Sequence, residues 1–288
     1  LKDKLFFFTS FERTETESVP SFWKPSTDGV ADSKAYLSRT SVADLQTISD
    51  FVRNRYGYDT GSATDFPSDI AINKYLARVD WNINQMHRLA VRFNHTNSEQ
   101  WKTPSTSRSG FYGSTYSSSI NSIAFHNSFY STKSRVTTLS ADLNSRFSDK
   151  ASNQFIATYS YMDDPRGTDS EPFPFVDIMQ GGQPYMALGM EQYTFGNRVE
   201  NKVLTLNDNF TYYLGRHKLM AGLNFEHQVA DNSYLIFGRG YYRYASMADF
   251  MNGAAPMGVA LTYGFDGESI PKSTVRFNMI GLYLQDEW

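Results

Sequence analysis

The five histidines are the first residues to weigh for chemistry, because imidazole binds metals and transfers protons near neutral pH. They are His87, His95, His126, His217 and His227. No pair stands at an HxxxH spacing, and the chain has no cysteine that could add thiolate ligands. The sequence also has no GxSxG motif, phosphate-binding loop or carboxylate pair in a recognisable context. We therefore expect polar roles for the histidines, and neither an enzyme nor a cofactor nor a metal site.

Acidic residues gather in one polar segment, and carboxylate oxygens are ligands that Ca²⁺ prefers. The group consists of Asp163, Asp164, Asp169, Glu171 and Asp177. Its spacing lacks the regular repeat of a calcium loop. Solvated loop acids are therefore the simpler interpretation, and a bound calcium ion in the outer loops is the alternative.

The charge balance gives no reason to expect nucleic acid as a partner. The formal net charge is -3, whereas nucleic-acid binding needs a concentrated basic field. Residues 239–244, with the sequence RGYYRY, do place aromatic rings beside cations as a base-stacking surface would. Given the acidic total, we interpret this segment as the aromatic extension of a strand.

Aromatic residues in the segments without a strand pattern are the remaining candidates for binding. The chain has 22 Phe and 19 Tyr, and such rings offer large contact area at low entropic cost, which suits a peptide or a sugar face. The alternative is that these rings pack the loops against one another. The candidate substrate contacts are Trp101, Tyr112, Tyr116, Phe173, Phe175, Tyr185, Tyr193, Tyr241, Tyr242 and Tyr244.

The elements that must position these rings are best seen in residues 202–229, where two alternating runs meet at a polar corner over residues 215–218. Leu204, Leu206 and Phe210 share one parity, and polar residues take the other. Each run has the length, roughly ten residues, that a tilted strand needs to cross a bilayer. This pattern predicts a transmembrane β-hairpin with its apolar face toward lipid. Asp208 falls on the apolar parity, which a bulge or a partner on a neighbouring strand would explain.

The same pattern recurs in two further hairpins, which turn near residues 84–87 and 148–152, and in single runs at residues 4–13 and 275–288. The polar parity of such strands suits a wet barrel lumen or a plug surface. The residues predicted to face the lumen or plug are Arg78, Asp80, Arg88, Arg92, Asn207, Asn224 and Glu226.

Short turns alternate with long polar segments at residues 14–69, 97–134 and 163–201. Within them, residues 41–56 have helical spacing with a capping box and a following Gly57, and residues 247–251 resemble a short helix. No run reaches the roughly 18 apolar residues of a membrane helix. The predicted fold is therefore all-β: a transmembrane antiparallel up-and-down β-barrel, with about eight strands in this chain, short periplasmic turns and long extracellular loops.

Several sequence words carry a family resemblance. LKDKLFFFTSFE, LNSRFSDK, EPFPFVDI, DNFTYYLGRHKLMAGLNFE and GLYLQDEW, spread over most of the chain, resemble TonB-dependent outer-membrane receptors of the Oar-like branch, whose complete members carry an N-terminal carboxypeptidase-regulatory-like domain. The resemblance implies that residues 1–288 are part of one barrel of about 22 strands, closed around a plug. The plug, the TonB box and the N-terminal domain are not in this chain.

The resemblance also implies a function. A transporter of this type, in the outer membrane of a Gram-negative bacterium, would capture a bulky substrate such as a peptide or protein with its extracellular loops and import it by TonB-driven plug remodelling. Its partners would be outer-membrane lipid, its own plug, the TonB complex and a surface lipoprotein or other envelope protein. One alternative is a barrel for adhesion or envelope assembly without transport. The other is a secreted soluble β-rich domain that binds ligands or acts on carbohydrates.

Overall fold

The computed structural model describes residues 2–18, 20–66, 69–105, 108–109, 113–114, 118–265 and 267–288. Two helices are present in this part of the chain, α1 (Val42–Tyr56) and α2 (Met247–Met251), with a 3-10 turn at His126–Ser128. The strands, in chain order, are β1 Leu5–Glu17, β2 Lys24–Ser26, β3 Leu37–Ser41, β4 Asp69–Asn82, β5 His87–Lys102, β6 Arg108–Ser109, β7 Gly113–Ser114, β8 Ile123–Ala124, β9 Tyr130–Arg146, β10 Ala151–Gly167, β11 Phe175–Gln180, β12 Gln183–Leu188, β13 Arg198–Leu214, β14 His217–Ser233, β15 Tyr241–Tyr244, β16 Gly258–Ala260 and β17 Lys272–Glu287.

Eight long strands form one antiparallel sheet, which we call the wall sheet. Its order is β1-β4-β5-β9-β10-β13-β14-β17, so each strand pairs with the next long strand of the chain, and β1 and β17 are the two edges. An up-and-down order of this kind requires only local connections between neighbouring strands. The wall sheet agrees with the prediction of about eight antiparallel barrel strands, but the described part of the chain has further short strands in the long segments, so the total is higher than predicted.

The connections between wall strands are short at one end of the sheet and long at the other. Residues 83–86, 147–150 and 215–216 form the short turns, whereas residues 18–68, 103–129, 168–197 and 234–271 form the long segments. The last turn is tighter than the predicted corner, because Leu214 pairs with His217 and Lys218 also belongs to β14. Gly215, with φ 64°, takes the first central position of this two-residue turn, where a left-handed conformation favours glycine.

Strand pairing extends further into the long segments than the sequence pattern predicted. β5 continues to Lys102 and β10 to Gly167, so the loops predicted at residues 97–134 and 163–201 are too long at both ends. At this end polar residues occupy both parities, so the alternation disappears while the backbone hydrogen bonds continue. The alternation of apolar and polar residues reveals a strand only when its two faces differ in polarity. It cannot detect a strand that has polar residues on both faces.

The register divides the wall sheet into an apolar face and a polar face. On the apolar face Leu206 pairs with Phe225, and Val91 pairs with Ala141. These side chains are not covered by the rest of the chain: Leu139 on this face is 50% exposed. In β17 the apolar face consists of Ile280, Leu282 and Leu284, while the other parity, which includes Met279 and Tyr283, lies on the polar face.

Tyr283 and Gly222 show how the polar face is fitted together. The two residues pair across β14 and β17, and the Tyr283 ring lies over the glycine. A Cβ at position 222 would lie 2.0 Å from Cζ of that ring, so only glycine leaves the space. The Tyr283 hydroxyl reaches across β14 to donate to the side-chain oxygen of Asn209 on β13. The Tyr283 ring therefore contacts β14 and β13 as well as its own strand β17. It also fills the space that the missing side chain of Gly222 leaves open.

The long segments fold into a second unit at their end of the wall, which we call the cap. It contains α1, α2 and a five-stranded sheet of order β16-β15-β11-β12-β8. Helix α1 forms where predicted: the Ser41 hydroxyl accepts the Asp44 N–H at 3.0 Å, and Gly57 ends the helix with φ 69°. Helix α2 also forms where predicted.

Two hydrophobic clusters hold the cap together. The first joins Leu45, Ile48 and Val52 of α1 to Val176 and Ile178 of the cap sheet. The second contains buried rings from distant parts of the chain, such as Phe129 and Tyr241. The cap is thus an ordered unit with its own cores. Among the described residues, no helix has the length and apolarity to cross a membrane.

Candidate functional site

The polar residues predicted to face a lumen all lie on one face of the wall sheet, opposite the apolar face. The register brings Arg78 beside Arg92 and Asn207 beside Asn224, and the side chains of this last pair hydrogen-bond at 2.6 Å. Asp80 also lies there. Its carboxylate contacts Arg78 Nε at 2.6 Å and Arg88 Nη2 at 3.3 Å. Glu226, the last residue of the predicted set, lies opposite Thr205 on the same face.

This polar face is concave near the short turns. A cavity of about 660 Å³ lies there, bordered by side chains from β4 round to β17. Its lining includes Arg88, Asn144, Gln154, Asn209 and Tyr283. A polar groove of this kind accepts water or a polar protein surface, and its hydrogen-bonding groups face into the concavity.

Asp208 lies on the apolar face, as its parity predicted, between Phe155 of β10 and Leu223 of β14. The pairing of β13 with both neighbours has no register shift, so no bulge turns the carboxylate away. Asn153 of β10 instead donates from Nδ2 to Asp208 Oδ1 at 2.6 Å. The explanation by a partner on a neighbouring strand is therefore confirmed, and the explanation by a bulge is wrong.

The hydrogen bond between Asn153 and Asp208 on the exposed apolar face should contribute measurably to the stability of the barrel. Asn153→Leu should destabilise the barrel by about 2 kcal/mol, because it leaves a charged acceptor without its partner. The double variant Asn153→Leu/Asp208→Leu should return to within about 0.5 kcal/mol of the wild type, since both polar groups are then gone. Urea unfolding of the vesicle-embedded protein measures both effects.

A matched control for this cycle is the Asn207–Asn224 pair on the polar face of the same hairpin. Asn224→Leu should change stability by less than about 1 kcal/mol, because water can replace the lost hydrogen bond. Equal losses for Asn153→Leu and Asn224→Leu would contradict the assignment of the two faces.

The ten aromatic candidates fall into four groups. Tyr112 and Tyr116 lie outside the described residues. Phe175, Tyr185 and Tyr241 are at most 3% exposed and pack inside the cap, as the loop-packing alternative expects. Trp101 and Tyr193 are partly buried: the Trp101 ring meets His126 edge-on, and the Tyr193 ring stacks with that of Tyr234. The remaining three come together at one place, and they are Phe173, Tyr242 and Tyr244.

These three rings border an open cavity of about 370 Å³ on the cap, which we call the aromatic cleft. Two further rings complete it, Tyr56 at the last residue of α1 and Phe250 in α2. The full lining is Tyr56, Phe173, Pro174, Val176, Tyr242, Tyr244 and Phe250. The sequence indicated the two helices, but not that both would bring a ring to β15.

Packing behind the cleft fixes its rings. Phe173 stacks on Tyr58 with 4.1 Å between ring centroids, and the Tyr58 hydroxyl lies 2.6 Å from that of Ser170. Burial raises the pKa of Tyr58 to about 12, so this phenol is neutral at physiological pH. On the other wall Tyr244 and Phe250 meet at 5.1 Å. The cleft is therefore formed before any ligand arrives.

Beneath β15, on the opposite face from the cleft, lies a buried ion pair that the sequence did not indicate. Arg243 donates from Nε and Nη2 to Asp177 at 3.0 and 2.7 Å, and the Tyr241 hydroxyl donates to the same carboxylate oxygen at 3.2 Å. Asp177 is 1% and Arg243 5% exposed. Asp177, expected as a solvated loop acid, is thus an interior residue, because strand β11 carries it into the cap.

The other acids and the histidines contact side chains from other segments of the chain. Asp163 on β10 is 4% exposed, so the expectation of a solvated loop acid is wrong for this residue as well. Asp163 contacts Arg198 at 2.7 Å, and Asp169 contacts His126 at 2.9 Å. In the part of the chain that the structure describes, no three His, Cys, Asp or Glu side chains form a group that could hold a metal ion. The other four histidines contact side chains of neighbouring strands, namely His87 with Ser145, His95 with Thr137, His217 with Asp286 and His227 with Asn278.

A long-stranded antiparallel sheet, apolar on its uncovered face and polar on its concave face, defines the wall of a β-barrel that stands in lipid. In agreement, residues 54–288 match the family model of the outer membrane beta barrel domain. The chain belongs to this family, and the protein is located in the outer membrane.

Among solved structures, the chain resembles the outer membrane transporter YddB from Escherichia coli. The match has 11% sequence identity and a TM-score of 0.46, and it covers 76% of this chain and 25% of that one. The chain thus spans about a quarter of the length of that transporter. A comparison with curated proteins finds no match.

Proposed function

We propose that this chain forms part of a TonB-dependent outer-membrane transporter of the Oar-like branch, which captures a bulky substrate of peptide or protein class. The observation that carries the proposal is the combination of an ordered cap, bearing a formed cleft, with a concave polar wall. A barrel that only anchors a protein also has a polar interior, but it needs no formed binding cleft above that interior. The family resemblance of the sequence words supplies the TonB dependence.

In this proposal the cap faces the exterior, and the short turns face the periplasm. The long segments are then the extracellular loops, and residues 215–216 form a periplasmic turn. A substrate held by the cap would next meet the plug. The charged and amide side chains of the concave face, such as Arg88 and Asn209, would contact that plug through hydrogen bonds and water.

The proposal is tested with the parent protein and a variant that lacks its TonB box. Cells producing each form are given a tryptic digest of casein, and intracellular peptides are quantified by mass spectrometry. We expect peptide accumulation with the intact protein and its loss in the variant. Equal accumulation in both, or no TonB box in the parent, would overturn the transport proposal and favour a barrel for adhesion or envelope assembly.

A further inference from the structure

The aromatic cleft combines an apolar floor with hydroxyl groups at its rim. Val176 and Phe250 are 3% and 5% exposed and form part of the floor, whereas Tyr56 is 53% exposed at the rim. On β15 the alternation of the strand turns Tyr242 and Tyr244 toward the cleft, while Tyr241 and Arg243 point into the opposite core. Concave apolar sites with a few convergent polar groups are the usual form of a binding site.

The three tyrosine hydroxyls of the cleft are available to a ligand. Tyr56, Tyr242 and Tyr244 all line the same cavity, and burial is the main cause that raises the pKa of Tyr244. A tyrosine hydroxyl can donate a hydrogen bond to a carbonyl oxygen of a ligand. Within the described residues, none of them hydrogen-bonds to another side chain or to the backbone, in contrast to the buried Tyr58, Tyr185 and Tyr241.

The composition of the lining decides between ligand classes. None of the described residues that line the cleft carries a charge or a carboxamide. A sugar needs several strong donors and acceptors for its hydroxyls, and a metal ion would have to give up its water for a site without a carboxylate. Neutral rings with phenol donors instead match a chain that presents apolar rings and carbonyl oxygens. Proline-rich peptide in its extended polyproline conformation has both, and its prolines have no N–H that would need an acceptor.

We propose that the aromatic cleft binds an extended, proline-containing peptide segment, with a proline ring between Phe173 and Tyr244 and peptide carbonyls accepting hydrogen bonds from the hydroxyls of Tyr242 and Tyr244. The preformed polyproline conformation loses little entropy on binding, and aromatic grooves exploit this property. The inference rests on the proposed capture function of the cap and assigns its ligand a chemical class.

The test uses the detergent-solubilised parent protein and two acetylated, amidated decapeptides, alternating Ala-Pro and alternating Ala-Gly. Titration calorimetry should show binding of the Ala-Pro peptide and at least tenfold weaker binding of the Ala-Gly peptide. Tyr242→Phe/Tyr244→Phe keeps both rings and removes two donors, so affinity should fall about tenfold. Tyr56→Ala removes one rim ring at a helix end and should weaken binding about fivefold.

Tyr263→Phe is the matched control, because Tyr263 is a cap tyrosine that is 83% exposed and does not line the cleft. It should leave the affinity unchanged. Equal binding of the two peptides, or no effect of Tyr242→Phe/Tyr244→Phe, would overturn the inference, as would binding of maltoheptaose or choline in place of the Ala-Pro peptide. Peptide binding requires no TonB, so a failed uptake assay with intact binding would refute transport and leave the ligand class standing.

Discussion

Asp177→Ala is expected to destabilise the cap by about 3 to 5 kcal/mol, the usual loss when one partner of a buried ion pair is removed. The variant leaves the guanidinium of Arg243, 5% exposed, without the carboxylate that accepts two of its hydrogen bonds. The Tyr241 hydroxyl loses the same acceptor. Because β15 carries Tyr242 and Tyr244 on its other face, the aromatic cleft should be lost together with the ion pair.

The measurement is chymotrypsin digestion of the folded protein, which should cleave the cap of Asp177→Ala at least tenfold faster while the wall stays resistant. The control is Asp59→Ala, which breaks the exposed pair between Asp59 and Arg53 at 3.5 Å in the same cap. That change should alter stability by about 1 kcal/mol or less. The double variant Asp177→Leu/Arg243→Met should be less destabilised than Asp177→Ala, because it removes both buried charges of the ion pair together.

If Asp177→Ala were cleaved no faster than Asp59→Ala, the ion pair would not hold β11 and β15 together. The cleft would then depend on ring packing alone. In that case Phe175 and Tyr241, whose rings stack at 6.1 Å, would be the next residues to substitute.

The wall sheet could be predicted from sequence because its determinants are local. In a two-faced strand, parity alone assigns each side chain to lipid or lumen, and a short turn fixes the register of the next strand. Leu206 and Asn207 were therefore assigned to opposite faces of the sheet without knowledge of their neighbours, and their strand partners Phe225 and Asn224 agree with that separation. Even the exception, Asp208, was recognised, although its partner Asn153 lies on another strand and is not visible in the sequence.

The cap could not be predicted because its determinants are contacts between distant residues. Arg39 donates to the carbonyl oxygens of Gln180 and Pro184 at 2.8 and 2.7 Å, and it thereby ties the first long segment to the third. Nothing near Arg39 in sequence indicates this contact. The same holds for Asp177 and Arg243, whose burial follows from β11 and β15 lying side by side in parallel.

The lining of the aromatic cleft could be predicted only in part, because its rings come from distant segments of the chain. Phe173, Tyr242 and Tyr244 were identified from residue type, but Tyr56 and Phe250 belong to helices that the sequence placed without orientation. One signal was overlooked: within RGYYRY a strand parity separates Tyr242 and Tyr244 from Tyr241 and Arg243. If that segment had been interpreted as a separate strand of the cap, its alternation would have assigned Tyr242 and Tyr244 to an outer surface and Tyr241 and Arg243 to a buried core.

A charged substitution on the apolar face of the wall sheet is also expected to reduce stability strongly. Ala141→Arg should destabilise the folded barrel by about 2 to 4 kcal/mol, the range for a cation near the bilayer midplane. Ala141 lies between Val91 and Ala157 on the apolar face. Aromatic rings on this face lie on both sides of that level: Trp81 and Tyr212 toward the short turns, and Tyr75 and Tyr159 toward the long segments. Its cross-strand neighbours are apolar, so the new charge finds no carboxylate directly opposite.

Thr158→Arg is the matched control at nearly the same depth. Thr158 faces the concave side between Ser140 and Thr205, where water can solvate a guanidinium, so stability should change by less than about 1 kcal/mol. The folded fraction in phosphatidylcholine vesicles, measured by the gel shift between unheated and boiled samples, reports both variants. Comparable losses at the two positions would mean that the faces of the wall have been assigned wrongly, whereas loss at Ala141 alone requires the apolar face to meet lipid.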